Sequence, residues 1–178
     1  VLAETEKGGM RGRFAPDGGT ILYSAAFGAK PPQVFVRRLD TLTTGRLELP
    51  PASVLSISSK GEAVILLTTD PNYSFARGTL ARVPLTGGTP RPLLENAMDA
   101  DWGPDGESLC VFRRVDAEWR LEYPIGNALL RERERTLFPR VSPKGDQVAF
   151  LSQNGDIEVV DRAGRRRSLG GRDLFTFG

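Results

Sequence analysis

Three aspartates near the middle of the chain have the residue type and spacing that a calcium site requires. Asp99, Asp101 and Asp105 precede Gly106, which is close to the pattern of an EF-hand loop. That loop also needs an oxygen ligand two residues after Asp101 and an acidic residue four residues after Gly106, but the sequence has glycine and cysteine there. A simple turn explains Asp105 and Gly106, so we predict no metal site.

No residue of the chain can act as an imidazole base, because the sequence has no histidine. This excludes a Ser-His-Asp triad and histidine acid–base catalysis within the chain. Ser108 lies in the sequence Gly-Glu-Ser-Leu-Cys, which lacks the final glycine of a nucleophile elbow. Cys110 lies among apolar residues, so we interpret it as a small buried side chain. We therefore predict a non-catalytic segment that holds no cofactor.

The composition excludes several classes of partner. The 178 residues include 24 Lys+Arg and 22 Asp+Glu, a formal net charge of +2. This basic excess is too small to neutralise many phosphates, so no nucleic-acid partner is predicted. Arg165–Arg167 lie close to Asp161, and we interpret them as a solvated hairpin. No run approaches the roughly 18 apolar residues of a membrane helix, so no membrane insertion is predicted.

One turn sequence recurs four times and predicts the architecture. Each copy has a large apolar residue, two small or turn-forming residues, Asp or Lys, and then glycine. The glycines are 43, 45 and 39 residues apart: Gly18, Gly61, Gly106 and Gly145. Asp-Gly or Lys-Gly supplies a residue that tolerates positive φ, and the apolar runs on both sides predict a hairpin.

Each glycine is followed by a β-rich run and then by a second pair of short strands. The runs are 20–24, 63–67, 108–112 and 147–151. The second pairs are 33–39 with 46–49, 79–85 with 91–94, 118–123 with 128–131, and 156–160 with 166–169. Four short strands in about 40 residues is the period of a β-propeller blade. Alternating charges within Leu129–Leu137 favour an outer strand there, with three arginines on one face and two glutamates on the other.

We therefore predict an all-β protein, a β-propeller of about four blades with four antiparallel strands each. A single partial propeller spans 1–178, with blades at roughly 10–52, 53–97, 98–136 and 137–171. Residues 172–178 are expected to begin a further blade, which makes the chain an open-arc fragment of a propeller with roughly six to eight blades. Six aromatic residues are expected in the core between blades: Phe14, Phe35, Trp102, Phe112, Trp119 and Phe150.

Asp99 and Asp101 form the candidate binding site. They alternate with Ala100 and Trp102, so on an innermost strand both carboxylates lie on one face. We expect that face to line the central channel, where a cation or a basic peptide would bind.

The repeats resemble the Pro-Asp-Gly repeat of TolB-like, WD-repeat-like β-propellers. Three copies follow the family pattern closely: Phe14–Tyr23, Trp102–Val111 and Val141–Phe150. The second copy departs from it, because Ser59-Lys60-Gly61 has no proline.

A narrower resemblance covers almost the whole chain. Five segments are similar to the propeller that follows the kinase domain in many bacterial eukaryotic-like Ser/Thr protein kinases: 21–27, 77–88, 99–106, 120–126 and 139–146. The resemblance implies a module that binds or senses a ligand or a protein, in the C-terminal part of such a kinase. It brings no kinase chemistry to these residues, because the Gly-rich phosphate loop and the His-Arg-Asp and Asp-Phe-Gly motifs are absent.

Two other contexts remain open for a propeller of this kind. One is the gating domain of a prolyl-oligopeptidase-type serine peptidase, which requires a separate hydrolase domain. The other is a TolB-like periplasmic scaffold that binds lipoprotein and translocation partners. The sequence leaves open the ligand, the binding face and the compartment, which is either an extracytoplasmic sensor region or the bacterial cytoplasm.

Overall fold

The computed structural model describes residues 11–72 and 75–171, and every regular element in these ranges is a β-strand. The strands are β1 Arg11–Phe14, β2 Thr20–Ala25, β3 Gln33–Arg38, β4 Thr44–Arg46, β5 Ala52–Ile57, β6 Glu62–Leu67, β7 Gly78–Pro84, β8 Arg91–Trp102, β9 Leu109–Val115, β10 Glu118–Glu122, β11 Ala128–Glu132, β12 Leu137–Val141, β13 Gln147–Leu151, β14 Ile157–Asp161 and β15 Arg166–Gly170. The described residues contain no helix long and apolar enough to cross a membrane.

The chain divides into two compact units, 1–98 and 99–178. In the first unit, β1 to β4 form an antiparallel sheet in sequence order, and β5, β6 and β7 pair in the same way with the first part of β8. In the second unit, the remainder of β8 is followed by β9, β10 and β11, and β12 to β15 form an antiparallel sheet. Strand β8 is long because it is the fourth strand of one repeat and the first strand of the next.

The turn after the first strand is capped by aspartate in the first and third repeats. In the third, Asp105 Oδ1 accepts hydrogen bonds from the N–H groups of Glu107 and Ser108 at 3.0 and 2.9 Å. Its Oδ2 accepts the Ser108 hydroxyl at 2.5 Å. Asp17 makes the corresponding three bonds in the first repeat. Gly106 completes the turn with a φ of 66°, which glycine adopts without strain.

The second and fourth repeats have lysine in place of that aspartate, and a serine caps the turn instead. Ser58 Oγ accepts the N–H groups of Lys60 and Glu62 at 3.2 and 3.0 Å. Ser142 Oγ accepts two backbone N–H groups at 3.2 Å in the fourth repeat. The second copy therefore forms its hairpin without the proline and the aspartate of the family pattern.

Burial decreases from the inner to the outer strands of a repeat. Strands β5 and β6 bury most of their side chains, whereas β4 and β15 are exposed along their whole length. In the first unit, one apolar cluster joins side chains of five strands: Leu22, Val34, Ala52, Val54, Ala63, Ile65, Ala81 and Val83. Burial on both faces is expected of strands packed between neighbouring layers.

Two details of the sequence-based expectation are wrong. Phe14 is 64% exposed, because β1 is an edge strand of the described sheet and nothing described covers its last residue. The strand expected over Leu129–Leu137 ends at Glu132, and 133–136 form a link, because β11 and the following β12 belong to different sheets. The alternation of three arginines and two glutamates therefore does not extend along one strand.

The fifth-blade prediction for 172–178 lies outside the described residues, and the blade boundaries and the open arc stay predictions.

Candidate functional site

Strand β8 positions both aspartates of the predicted binding site. The last four residues of β8 are Asp99, Ala100, Asp101 and Trp102, and the two apolar ones, Ala100 and Trp102, are both buried. Asp99 is only 3% exposed, and its Oδ1 accepts the N–H of Ala100 at 2.9 Å. Asp101 is partly exposed. The orientation of the two carboxylates toward a channel stays a prediction.

Asp101 also connects two strands of the second unit. Its Oδ2 accepts the backbone N–H of Val141, the last residue of β12, at 2.9 Å. A carboxylate that accepts a hydrogen bond from a main-chain N–H holds it more strongly than a neutral acceptor does. Asp101 therefore has a structural role whether or not it contacts a ligand.

The thiol of Cys110 lies on β9 and is fully buried. Burial raises the pKa of this thiol well above its ordinary value, and the negative charges of Asp101 and Asp99 raise it further. The positive charges of Arg162 and Arg140 lower the thiol pKa, but their effect is smaller. Because the thiol stays protonated, it is a poor nucleophile, and the interpretation of Cys110 as a buried apolar side chain is confirmed.

Arg162, in the turn between β14 and β15, is held by an aromatic ring and two carbonyl groups. Its guanidinium lies 3.6 Å from the centroid of the Tyr123 ring. Its Nε donates to the carbonyl of Gly145 at 2.8 Å, and its Nη1 donates to the carbonyl of Tyr123 at 3.4 Å. No sequence pattern indicates this contact, because an arginine in an Asp-Arg-Ala-Gly turn is typical of a solvated loop.

The Tyr123 hydroxyl occupies the space beside two turn glycines. Tyr123 is 1% exposed, and burial raises the pKa of its phenol. A β-carbon at Gly103 would lie 2.6 Å from the Tyr123 oxygen, and one at Gly145 would lie 3.3 Å from it. The third and fourth turns therefore pack against this one side chain. Gly103, at the position where an EF-hand loop would need an oxygen ligand, therefore has a packing role.

The other candidate residues have structural roles. The Asp105 carboxylate caps its turn, as predicted, and the Ser108 hydroxyl donates to it. Among residues 11–72 and 75–171, no group of three or more His, Cys, Asp or Glu side chains is placed to hold a metal ion.

The arginine run after Asp161 forms the predicted hairpin between β14 and β15. Arg165 pairs with Asp161 at 2.7 Å. Arg166 pairs with Glu158 and, through Nη1, with Glu132 at 2.7 Å. These acidic partners neutralise much of the local positive charge, which agrees with a solvated hairpin.

Comparison with known proteins identifies the fold. No protein-family model matches this chain. No curated protein matches it either. Among solved structures, TolB from Acinetobacter baumannii has a TM-score of 0.69 and 14% sequence identity, over 92% of this chain and 44% of TolB.

Two peptidases share the same architecture. The tricorn protease has a TM-score of 0.67 and 18% identity, over 93% of this chain and 19% of the protease. A structure from a study of two prolyl endopeptidases has a TM-score of 0.58 and 13% identity, over 93% of this chain and 29% of the endopeptidase. This chain thus spans less than half the length of TolB and of each of the two peptidases. Identities this low establish the fold alone: the chain has an all-β, propeller-type fold similar to that of TolB.

Proposed function

We propose that the chain is a non-catalytic β-propeller module that binds or senses a ligand or a protein, as the C-terminal part of a bacterial Ser/Thr protein kinase. The non-catalytic part of this proposal is supported by one observation. The candidate nucleophiles already have structural roles. The Ser108 hydroxyl is bonded to Asp105, and the Cys110 thiol is buried with a raised pKa. The chain also has no histidine to activate either of them.

The kinase context is supported by the five sequence segments that resemble kinase-associated propellers. The solved structures support only the fold that such a module needs. Within it, Asp99 and Asp101 are the proposed binding residues, because their carboxylates lie two residues apart on one strand. Their charge suits a cation or a basic peptide.

The test compares this chain with the full product of its gene, which the proposal expects to be a longer protein with a kinase domain. Both are purified and incubated with radiolabelled ATP, Mg²⁺ and myelin basic protein. We expect phosphorylation by the longer protein and none by the 178-residue chain. The longer protein with its catalytic-loop aspartate replaced by asparagine is the control. Phosphorylation by the short chain alone contradicts the non-catalytic assignment, and absence of a kinase domain upstream contradicts the kinase context.

A second candidate is the gating propeller of a prolyl-oligopeptidase-type peptidase, which the similarity to the prolyl endopeptidases favours. It requires a neighbouring hydrolase domain with a Gly-x-Ser-x-Gly elbow. Hydrolysis of a fluorogenic Gly-Pro peptide by the longer protein, but not by this chain, would favour it over the kinase.

The similarity to TolB makes a periplasmic scaffold the third candidate. This reading requires a signal peptide upstream and no kinase domain. Co-purification of envelope lipoproteins with the longer protein, together with export of that protein, would favour the scaffold.

A further inference from the structure

A surface cleft lies in the second unit, at one end of the β12–β15 sheet. One wall is the link 133–136 between β11 and β12, and the other is the turn 152–156 between β13 and β14. The two walls meet because Leu137, which begins β12, pairs with Leu151, which ends β13. The cleft has a volume of about 380 Å³, and a recess of about 60 Å³ adjoins it between the same two segments.

The corresponding position of the second repeat is closed by a backbone hydrogen bond. There the N–H of Thr68, directly after β6, donates to the carbonyl of Pro51, directly before β5, at 3.1 Å. In the fourth repeat the N–H of Ser152 donates instead to Asp156 within its own turn, at 2.9 Å. In the fourth repeat, a bond within the turn therefore replaces the bond that would join the turn to the link, and the cleft lies between these two segments.

The recess contains a buried hydroxyl that no described residue hydrogen-bonds. Thr136, which ends the link and lines the recess, is 4% exposed, and its Oγ1 has no hydrogen-bond partner among residues 11–72 and 75–171. Leaving a buried hydroxyl unsatisfied costs about 1–3 kcal/mol. Folding does not require a hydroxyl here, because the second repeat has Pro51 at the same position. Such a group calls for an explanation beyond folding.

The walls of the cleft offer further hydrogen-bonding groups and an apolar floor. Gln153 and Asn154, at the tip of the turn, present exposed side-chain amides that have no partner among the described residues. An amide both donates and accepts hydrogen bonds. The side chains of Leu137 and Leu151 line the same cleft.

The charged groups around the recess balance one another. Glu132, Glu134, Arg135 and Arg166 line it, so their formal charges sum to zero. The guanidinium of Arg166 is already bonded to Glu132 at 2.7 Å and to Glu158 at 2.8 Å. An anionic ligand would have to displace these carboxylates from Arg166. The lining therefore favours a neutral ligand.

We propose that this cleft binds a small neutral polyhydroxyl compound of about the size of a monosaccharide. Each hydroxyl of such a compound both donates and accepts, which matches Thr136 Oγ1 and the amides of Gln153 and Asn154. Its C–H faces match the apolar floor. The volume lies at the lower end of the roughly 300–1,000 Å³ range of small-molecule sites, and so suits a single sugar ring. The proposal rests on the proposed function of the chain as a binding module.

The experiment is a titration of the ¹⁵N-labelled chain, followed by backbone amide chemical shifts. The neutral probes are methyl α-D-glucopyranoside, N-acetyl-D-glucosamine and myo-inositol, and the charged comparisons are glucose 6-phosphate, an anion, and triglycine, a zwitterion. At least one neutral probe should give saturable shifts confined to 133–137 and 152–156. It should bind more tightly than either charged compound.

Two variants test the contacts. Thr136→Val keeps the shape and removes the hydroxyl, so it should weaken binding about tenfold, the equivalent of one hydrogen bond. Its melting temperature should equal or exceed that of the unmodified chain, because an unsatisfied polar group is lost. Asn154→Ala, at an exposed position that does not threaten folding, should weaken binding as well. Asn72→Ala, an exposed amide on the β6–β7 connection, is the matched control and should leave binding unchanged.

The outcomes separate this proposal from the proposed function. Absence of saturable shifts at the cleft with all three neutral probes overturns it, as does tighter binding of glucose 6-phosphate or triglycine there. A lower melting temperature for Thr136→Val also overturns it, because the hydroxyl would then have a structural partner. Saturable binding elsewhere in the chain, with none at the cleft, overturns the cleft site and leaves the binding function standing. Phosphoryl transfer by the chain itself would overturn the non-catalytic function alone.

Discussion

The carboxylate of Asp101 accepts the backbone N–H of Val141 at 2.9 Å, which joins the first strand of the third repeat to the first strand of the fourth. Neighbouring repeats of this kind depend on each other for burial. A polar contact between their inner strands fixes the register of one against the other. The residue predicted to bind a ligand is thus also part of the framework that positions the site.

Replacing Asp101 separates these two roles. Asp101→Ala leaves the Val141 N–H without its partner and should lower the free energy of unfolding by about 1–3 kcal/mol. Asp101→Asn keeps an acceptor oxygen, so it should cost less while removing the charge that a cation would need. Urea denaturation followed by tryptophan fluorescence measures the stability of both variants. Equal stability of Asp101→Ala and the unmodified chain would show that the bond contributes nothing.

The turn glycine Gly103 should not tolerate a side chain. A β-carbon there would lie 2.6 Å from the Tyr123 hydroxyl, so Gly103→Ala should lower stability by about 1–3 kcal/mol. Tyr123→Phe removes the oxygen that clashes, so the double variant should regain part of that loss. The measurement is a double-mutant cycle of urea denaturation.

Gly19 provides the matched control for this cycle. A β-carbon at Gly19 meets nothing within 4 Å, so Gly19→Ala should be close to neutral. Additive effects of Gly103→Ala and Tyr123→Phe would contradict a direct clash between the two groups.

The sequence was sufficient to predict the repeats, because the turn chemistry and the strand pattern are local. Gly18, Gly61, Gly106 and Gly145 all have positive φ, and the β-rich runs predicted directly after them agree with β2, β6, β9 and β13 to within three residues at each end. The interpretation of Asp105 as a turn residue depended on the same local signal.

The contacts between repeats could not be predicted from the sequence. Asp101 meets Val141 across 40 positions, and Arg162 meets Tyr123 across 39. Such pairs depend on how one sheet packs on the next, and no local pattern encodes that. The exposure of Phe14 was missed for the same reason, because strand position alone does not show whether a neighbour covers the side chain.

Cys110 should be unreactive in the folded chain. Because it is fully buried and its pKa is raised, Ellman's reagent should modify it only as the chain unfolds. Reaction measured against urea concentration should follow the unfolding curve. The folded thiol should remain unmodified at pH 9, where an exposed thiol reacts readily. Fast labelling in the absence of urea would contradict the buried position.

Glu158 should make stability depend on pH in the acidic range. The hydrogen bonds from Arg166 lower the pKa of this carboxyl below its usual value of 4.5, against the opposing effect of burial. A folded-state pKa below the unfolded one means that the unfolded chain takes up the proton first. The stabilisation by Glu158 is therefore complete above about pH 5 and is lost as the pH falls through the folded-state value.

Glu158→Gln should lower the free energy of unfolding by about 1–2 kcal/mol at pH 7, since Arg166 is partly exposed and solvent screens the pair. The difference from the unmodified chain should shrink between pH 5 and pH 3, because the native carboxyl is then protonated as well. Urea denaturation of both proteins at each pH measures this stability difference. Glu48→Gln removes half of an exposed pair with Arg46 and should change stability little at any pH. A stability difference for Glu158→Gln that is constant down to pH 3 would show that the contribution of Glu158 does not depend on its charge.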